Sequence, residues 1–189
     1  MSIHLHSAPN LVLTVEFSVE SRLFALIIGI NDYTKSTKLR GARADALAVD
    51  EYLRTALSVP SNRITVLLDQ GASRDAIING FMGLRDNKEI QPGDPILIFY
   101  AGHGAEISEG TGKIQSIIPQ NHDGIDVHPI PDWTIGSLLA QIHAAKGDNI
   151  VSSSLCAQSP AKIGFRPLYW TVVTRVAGAA PTHNSWSVL

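Results

Sequence analysis

Apolar residues along the chain fall into short unbroken runs separated by stretches of helical spacing. Leu23-Phe-Ala-Leu-Ile-Ile-Gly-Ile30 is continuously apolar and closes on Asn31-Asp32, which predicts a strand buried on both faces. From Asp45 to Leu57 the apolar positions Ala46, Val49, Leu53 and Leu57 follow a helical period, with Pro60 soon after. Arg63–Leu68 predicts a second buried strand. Ser73 is placed to cap a helix running to about Leu84, with Ile77, Phe81 and Leu84 on one stripe. Pro95–Tyr100 predicts a third strand, expected to stop at Ala101-Gly-His-Gly104. A short strand near Ile114–Pro119 follows, and then a helix capped by Asp132 and running through Ala145. Its buried face is Ile135, Leu138, Leu139 and Ile142, and Gly147 is its stop. Strands alternating with helices of this length imply right-handed crossovers and a mostly parallel sheet covered on both faces, an α/β sandwich.

The pattern changes after Ile150. Val151-Ser-Ser-Ser-Leu-Cys156 occupies the place of the next strand, but three serines interrupt its apolar character. The remaining tail has no sustained period and offers at most an edge strand around Tyr169–Val173. The chain therefore divides into an N-terminal extension (1–21), an α/β domain (22–150) and a divergent tail (151–189).

Composition narrows the function. The chain has 189 residues, 44% of them hydrophobic, with 15 basic against 17 acidic residues. That content supports one packed domain and excludes disorder as the main state. The near-neutral balance gives no basic field for nucleic acid. No run approaches the roughly 18 apolar residues a membrane span requires, and residues 1–22 lack a basic start, so the expected location is cytoplasmic. One cysteine excludes a disulfide framework or a multi-cysteine metal site.

Chemistry in parallel α/β sheets gathers at the carboxyl ends of strands. His103, flanked by Gly102 and Gly104 after the third strand, is the first candidate. The glycines would let the backbone turn sharply and bring N–H groups close to a substrate carbonyl. Cys156 is the available thiol nucleophile; its other reading is a small buried residue in a serine-rich segment. Asn31-Asp32 reads as turn chemistry, Asp45 as a favourable charge at a helix N-terminus, and Asp123 and Asp126 as a solvated loop. His122 and His128 lack the spacing of a zinc pair, and His143 reads as a solvent-edge helix position. Dinucleotide and P-loop motifs are absent.

Together, Phe24–Tyr33, Leu39–Ala46, Phe99–Gly104, Ile117–Pro119 with Asp123, Ile130–Asp132 and Lys146–Ile150 resemble the caspase/metacaspase superfamily of cysteine peptidases, over about two-thirds of the chain. The resemblance implies a caspase-like α/β/α sandwich and an endopeptidase acting on protein or peptide substrates. His103 and Cys156 would form a dyad, with Gly104 supplying an oxyanion N–H. The separation of 53 residues agrees with the roughly 50 typical of caspases. Thiolate attack would give an acyl-enzyme, with His103 protonating the leaving amine. Asp45 falls where metacaspases carry an acidic specificity residue in Gly-Cys-x-Asn-Asp-Ala, written here Gly41-Ala-Arg-Ala-Asp-Ala46, which implies cleavage after Arg or Lys. No cofactor is expected. Calcium enters by family analogy alone, without an acidic site to carry it over.

After Ile150 the family continues with an apolar strand, then Asp, Cys or Ser, the nucleophilic Cys, His, Ser and Gly. One register places Leu155 at the Asp, Cys156 one position before the nucleophile, and Ala157 at the nucleophile itself. Sliding by one puts Cys156 at the nucleophile and Ser154 at the Asp. A truncated or misread chain, for example through an unspliced intron or shifted reading frame past Ile150, is expected from this abrupt break. The alternative function is a catalytically inactive pseudo-peptidase serving as an interaction module. An incomplete sheet also predicts dimerisation through its uncovered edge.

Overall fold

The computed structural model describes residues 21–109, 112–158 and 168–172. Seven strands are β1 (Phe24–Gly29), β2 (Ile64–Leu68), β3 (Ile96–Glu109), β4 (Gly112–Ile117), β5 (Ile130–Pro131), β6 (Ile150–Gln158) and β7 (Leu168–Val172). Three helices are α1 (Ala42–Thr55), α2 (Arg74–Asp86) and α3 (Asp132–Lys146). β2, β1, β3 and β6 lie side by side and parallel, and β7 adds antiparallel to β6. The expected strand on 151–156 is thus present despite its serines, and an edge strand occupies 168–172.

Side-chain alternation sorts the core into two halves. Ala25, Ile27, Phe99 and Ala101 face α1 through Ala42, Ala46 and Leu53. Leu26, Ile28, Ile98 and Tyr100 face α2 and α3 through Ile77, Phe81, Leu84, Leu138 and Ile142. The result is the expected three-layer sandwich.

Several boundaries differ from expectation. β3 does not stop at Tyr100. Its first half pairs with β1 through Ala101, and from Gly104 to Glu109 it pairs antiparallel with β4. β6 follows it from Ile96 to Gly104. At Gly104 the two pairings occupy opposite edges of β3, so β4 lies in the same lane as β1, beyond its end. α1 begins at Ala42 rather than Asp45, and no side chain caps it. Asp132 is the first residue of α3 rather than its cap, and Pro131 precedes it; the Asp132 carboxylate accepts the neighbouring Trp133 N–H at 2.7 Å. Ser73 does cap α2, accepting from Ala76 N–H at 3.2 Å, and Gly147 ends α3 with φ of 93°. Among the described residues no helix is long and apolar enough to cross a membrane.

Candidate active site

The carboxyl ends of β1, β2 and β3 form a crest organised by one buried carboxylate. Asp69, at φ of 44° after β2, accepts the backbone N–H groups of Asn31 (2.8 Å) and Asp32 (3.0 Å) on one oxygen. Its other oxygen takes the Arg43 guanidinium at 2.7 Å. Burial alone would raise its pKa, but the guanidinium and the two N–H groups outweigh burial and hold it below the ordinary carboxylate value. Asn31 also accepts the Arg43 N–H at 3.2 Å, tying the start of α1 to the end of β1. Asn31 and Asp32 thus join this crest through their backbone N–H groups, and Asn31 also through its side chain.

His103 sits inside β3 rather than on a bend, and it is buried at 2% exposure. Its N–H and C=O point toward the lane of β1 and β4, at the place where neither strand is fully present. Ile30 N–H closes on Ala101 O on one side of this gap, and Ile118 N–H closes on His103 O on the other, both at 2.9 Å. The Tyr33 hydroxyl fills the space between and accepts the His103 N–H at 2.6 Å. The Tyr100 hydroxyl donates to His103 O (2.8 Å), with Ile118 O at 3.0 Å sharing the proton. Tyr33 lies 3.4 Å from Tyr100, oxygen to oxygen. Burial pushes the Tyr33 phenol up to about 12 and the Tyr100 phenol well above its usual value, so both stay neutral. The imidazole packs against the Tyr33 ring at 4.7 Å between centroids, and Nε2 lies 2.6 Å from Thr37 O.

The two flanking glycines serve space rather than a turn, since neither has a positive φ. A Cβ on Gly102 would lie 2.5 Å from both tyrosine oxygens, and one on Gly104 would lie 3.1 Å from the Cys156 Cβ. The glycine-flanked bend expected from the sequence is replaced by a continuous strand whose small residues admit its neighbours.

The β3–β6 register sets Gly102 opposite Cys156 and His103 opposite Ala157. Residues in register on parallel strands leave the sheet on the same face, and successive residues alternate. Cys156 accordingly packs with the Tyr100 half of the core, whereas Leu155 packs with the Phe99 half. The thiol and the imidazole leave the sheet on opposite faces. The thiol lies 3.0 Å from Ser154 Oγ, and burial raises its pKa against the lowering effect of that contact. Gly104, one residue on from His103, turns its N–H toward β6 by the same alternation of the ladder.

Asp45 lies exposed in the first turn of α1, at the mouth of the Asn31–Gly41 loop whose Thr37 carbonyl covers His103. Asp123 takes the N–H groups of Ile125, Asp126 and Val127 on a single oxygen, and these bonds lower its pKa. His122 Nδ1 lies 2.6 Å from Val127 O in the same loop. Among the described residues no three His, Cys, Asp or Glu side chains converge as metal ligands. Sequence reasoning missed the Tyr33–Tyr100 pair and the Asp69–Arg43 clamp. Tyr33 ends the Phe24–Tyr33 motif, which was the one available signal.

Residues 22–144 match the family described as caspase domain. The chain is 32% identical over 136 residues to metacaspase-1 of Plasmodium falciparum, covering 65% of this chain and 22% of that protein. It is 28% identical over 139 residues to metacaspase-7 of Arabidopsis thaliana, covering 69% and 33% respectively. It therefore spans roughly a fifth to a third of the length of these relatives. A crystal structure of a Geobacter sulfurreducens protein superposes with a TM-score of 0.53 at 19% identity, over 72% of this chain and 50% of that one, a likeness of fold.

Proposed function

The chain belongs to the caspase-domain family, and on that premise we propose that its crest is a cysteine-peptidase-type peptide-binding surface at which hydrolysis is disabled. The observation that carries this reading is the β3–β6 register, with Ala157 rather than Cys156 opposite His103. A nucleophile needs a base within hydrogen-bond reach, and a thiol attacks as its thiolate. Cys156 leaves the sheet on the other face with a raised pKa, which supports an unreactive thiol. The exposed Asp45 carboxylate supports recognition of Arg or Lys in the bound peptide.

The test pairs a thiol-directed probe with fluorogenic peptides ending in Arg or Lys. Wild-type protein should give no turnover and slow labelling of Cys156. Ala157→Cys should label faster, and the gain should disappear when His103→Ala is added. Anisotropy of a labelled Arg- or Lys-containing peptide should show binding that Asp45→Asn weakens. Turnover by the wild-type chain that both Cys156→Ser and His103→Ala abolish would replace this reading with an active His103–Cys156 endopeptidase.

A further inference from the structure

Two opposite charges stand two residues apart in the first turn of α1. Arg43 is the one cation among residues 42–49, and Asp45 is the first acid of the helix. At 3.6 residues per turn, positions two apart leave a helix on opposite flanks. The row between them, Ala42 and Ala46, is buried against the sheet. Arg43 accordingly reaches to one side, where Asp69 beyond the end of β2 takes its guanidinium at 2.7 Å. β1 lies between β2 and β3, so Asp45 reaches the other way, toward the strand that carries His103. Asp45 is exposed, and among the described residues no cation pairs with it. Asp69 divides its two oxygens between separate tasks. One accepts the N–H groups of Asn31 and Asp32, which a neutral amide carbonyl could also do. The other faces Arg43, where only a carboxylate cancels the charge.

We propose that Asp69 is a specificity-determining residue of the peptide site: by pairing with Arg43 it cancels the cation beside Asp45 and leaves Asp45 as the net charge a peptide meets. Asp45 acts here as the group that takes Arg or Lys, so this inference rests on the reading given above. With Asp69 in place, Arg43 and Asp69 sum to zero and the helix end presents one negative charge. Without it, Arg43 stands uncancelled about one Debye length from Asp45, roughly 10 Å at 0.1 M salt, and repels any cation that Asp45 attracts. A unit charge at that range changes a binding constant by roughly two- to tenfold, and less as salt rises. Lys35 and Arg40 lie in the loop before the helix and contribute equally to every comparison. A clamp that only held the loop would be broken alike by removing either partner. As a charge balance, the two removals have opposite signs.

Anisotropy of a labelled Arg-containing peptide on the full-length chain at low salt tests this. A Gln-for-Arg peptide is the control, and circular dichroism checks the fold of each variant. Asp69→Asn should weaken the Arg peptide roughly two- to tenfold. Arg43→Gln should hold it at least as tightly as wild type, and the double variant should return close to wild type. Raising the salt to about 0.5 M should shrink these differences. If Asp69→Asn does not fold, Arg43→Gln decides alone. Weaker binding of the Arg peptide by Arg43→Gln, or the same changes with the Gln peptide, overturns the proposal and leaves Asp45 its role. A folded Asp69→Asn that binds like wild type overturns it as well. Binding that is absent in wild type, or indifferent to Asp45→Asn, removes the reading of Asp45 and this proposal together.

Discussion

Gly102→Ala isolates the packing that holds His103 in place. The added Cβ would lie 2.5 Å from Tyr33 Oη and Tyr100 Oη and 2.7 Å from Tyr100 Cζ, where about 3.4 Å is ordinary contact. Each hydroxyl must retreat by almost an ångström. Tyr33 Oη would then lose the His103 N–H, and Tyr100 Oη would lose the His103 and Ile118 carbonyls. Overpacking a filled core costs about 1–3 kcal/mol, and a buried donor left without its acceptor costs about another 1–3. With partial relaxation the variant should lose about 2–4 kcal/mol in urea unfolding followed by far-UV circular dichroism. Gly104→Ala is the internal control. Its Cβ would meet the Cys156 Cβ at 3.1 Å and Sγ at 3.2 Å, contacts relieved by a few tenths of an ångström. Its cost should stay under about 1 kcal/mol, below the usual overpacking range. Adding Tyr33→Phe removes one clashing oxygen, so the Gly102→Ala/Tyr33→Phe double variant should lose less than the sum of the singles. Equal costs at Gly102 and Gly104, or strict additivity with Tyr33→Phe, would refute the role assigned to the two phenols.

Two further outcomes follow from buried charges. Asp69 has its folded pKa depressed below its unfolded value of about 3.9, so its stabilisation is fully present above that value and is lost as pH falls through the lower folded one. Asp69→Asn should lower stability at pH 7 and flatten the acid limb of the stability–pH curve; a limb of unchanged slope would contradict the clamp. Lys146 is 9% exposed and donates to Asn87 O at 2.6 Å and Ile90 O at 3.1 Å. Lys146→Met should cost about 2–3 kcal/mol in urea unfolding, the scale of hydrogen bonds from a charged donor; a loss below about 0.5 would show those carbonyls to be satisfied otherwise.

The strands of the parallel core were legible because unbroken Ile/Leu/Val/Phe runs bounded by turn residues have few other uses. The same logic hid the extension of β3. Ala101-Gly-His-Gly104 reads as a breaker, whereas here glycine is required by neighbouring tyrosine oxygens, which no local window contains. The Tyr33–His103 bond joins residues 70 apart in sequence, so nothing near either one announces it. The start of α1 escaped notice because Gly41 offers no capping side chain. The register of β6 was open for a physical reason: a strand reading Ser-Ser-Ser has no apolar phase to fix which residues face the core. The question of which residue faces His103 was therefore undecidable from the sequence, and pairing with β3 supplies the answer.

The phenol that stands in for a missing strand beside His103 gives this region an unusual mechanical character. The rungs on either side, Ile30 N–H to Ala101 O and Ile118 N–H to His103 O, are backbone tied to backbone, and breaking one means prising two strands apart. The Tyr33 rung depends instead on the torsions of one buried side chain. The main chain of His103 is thus tied across the gap by a side chain, where the rungs on either side are tied by main chain.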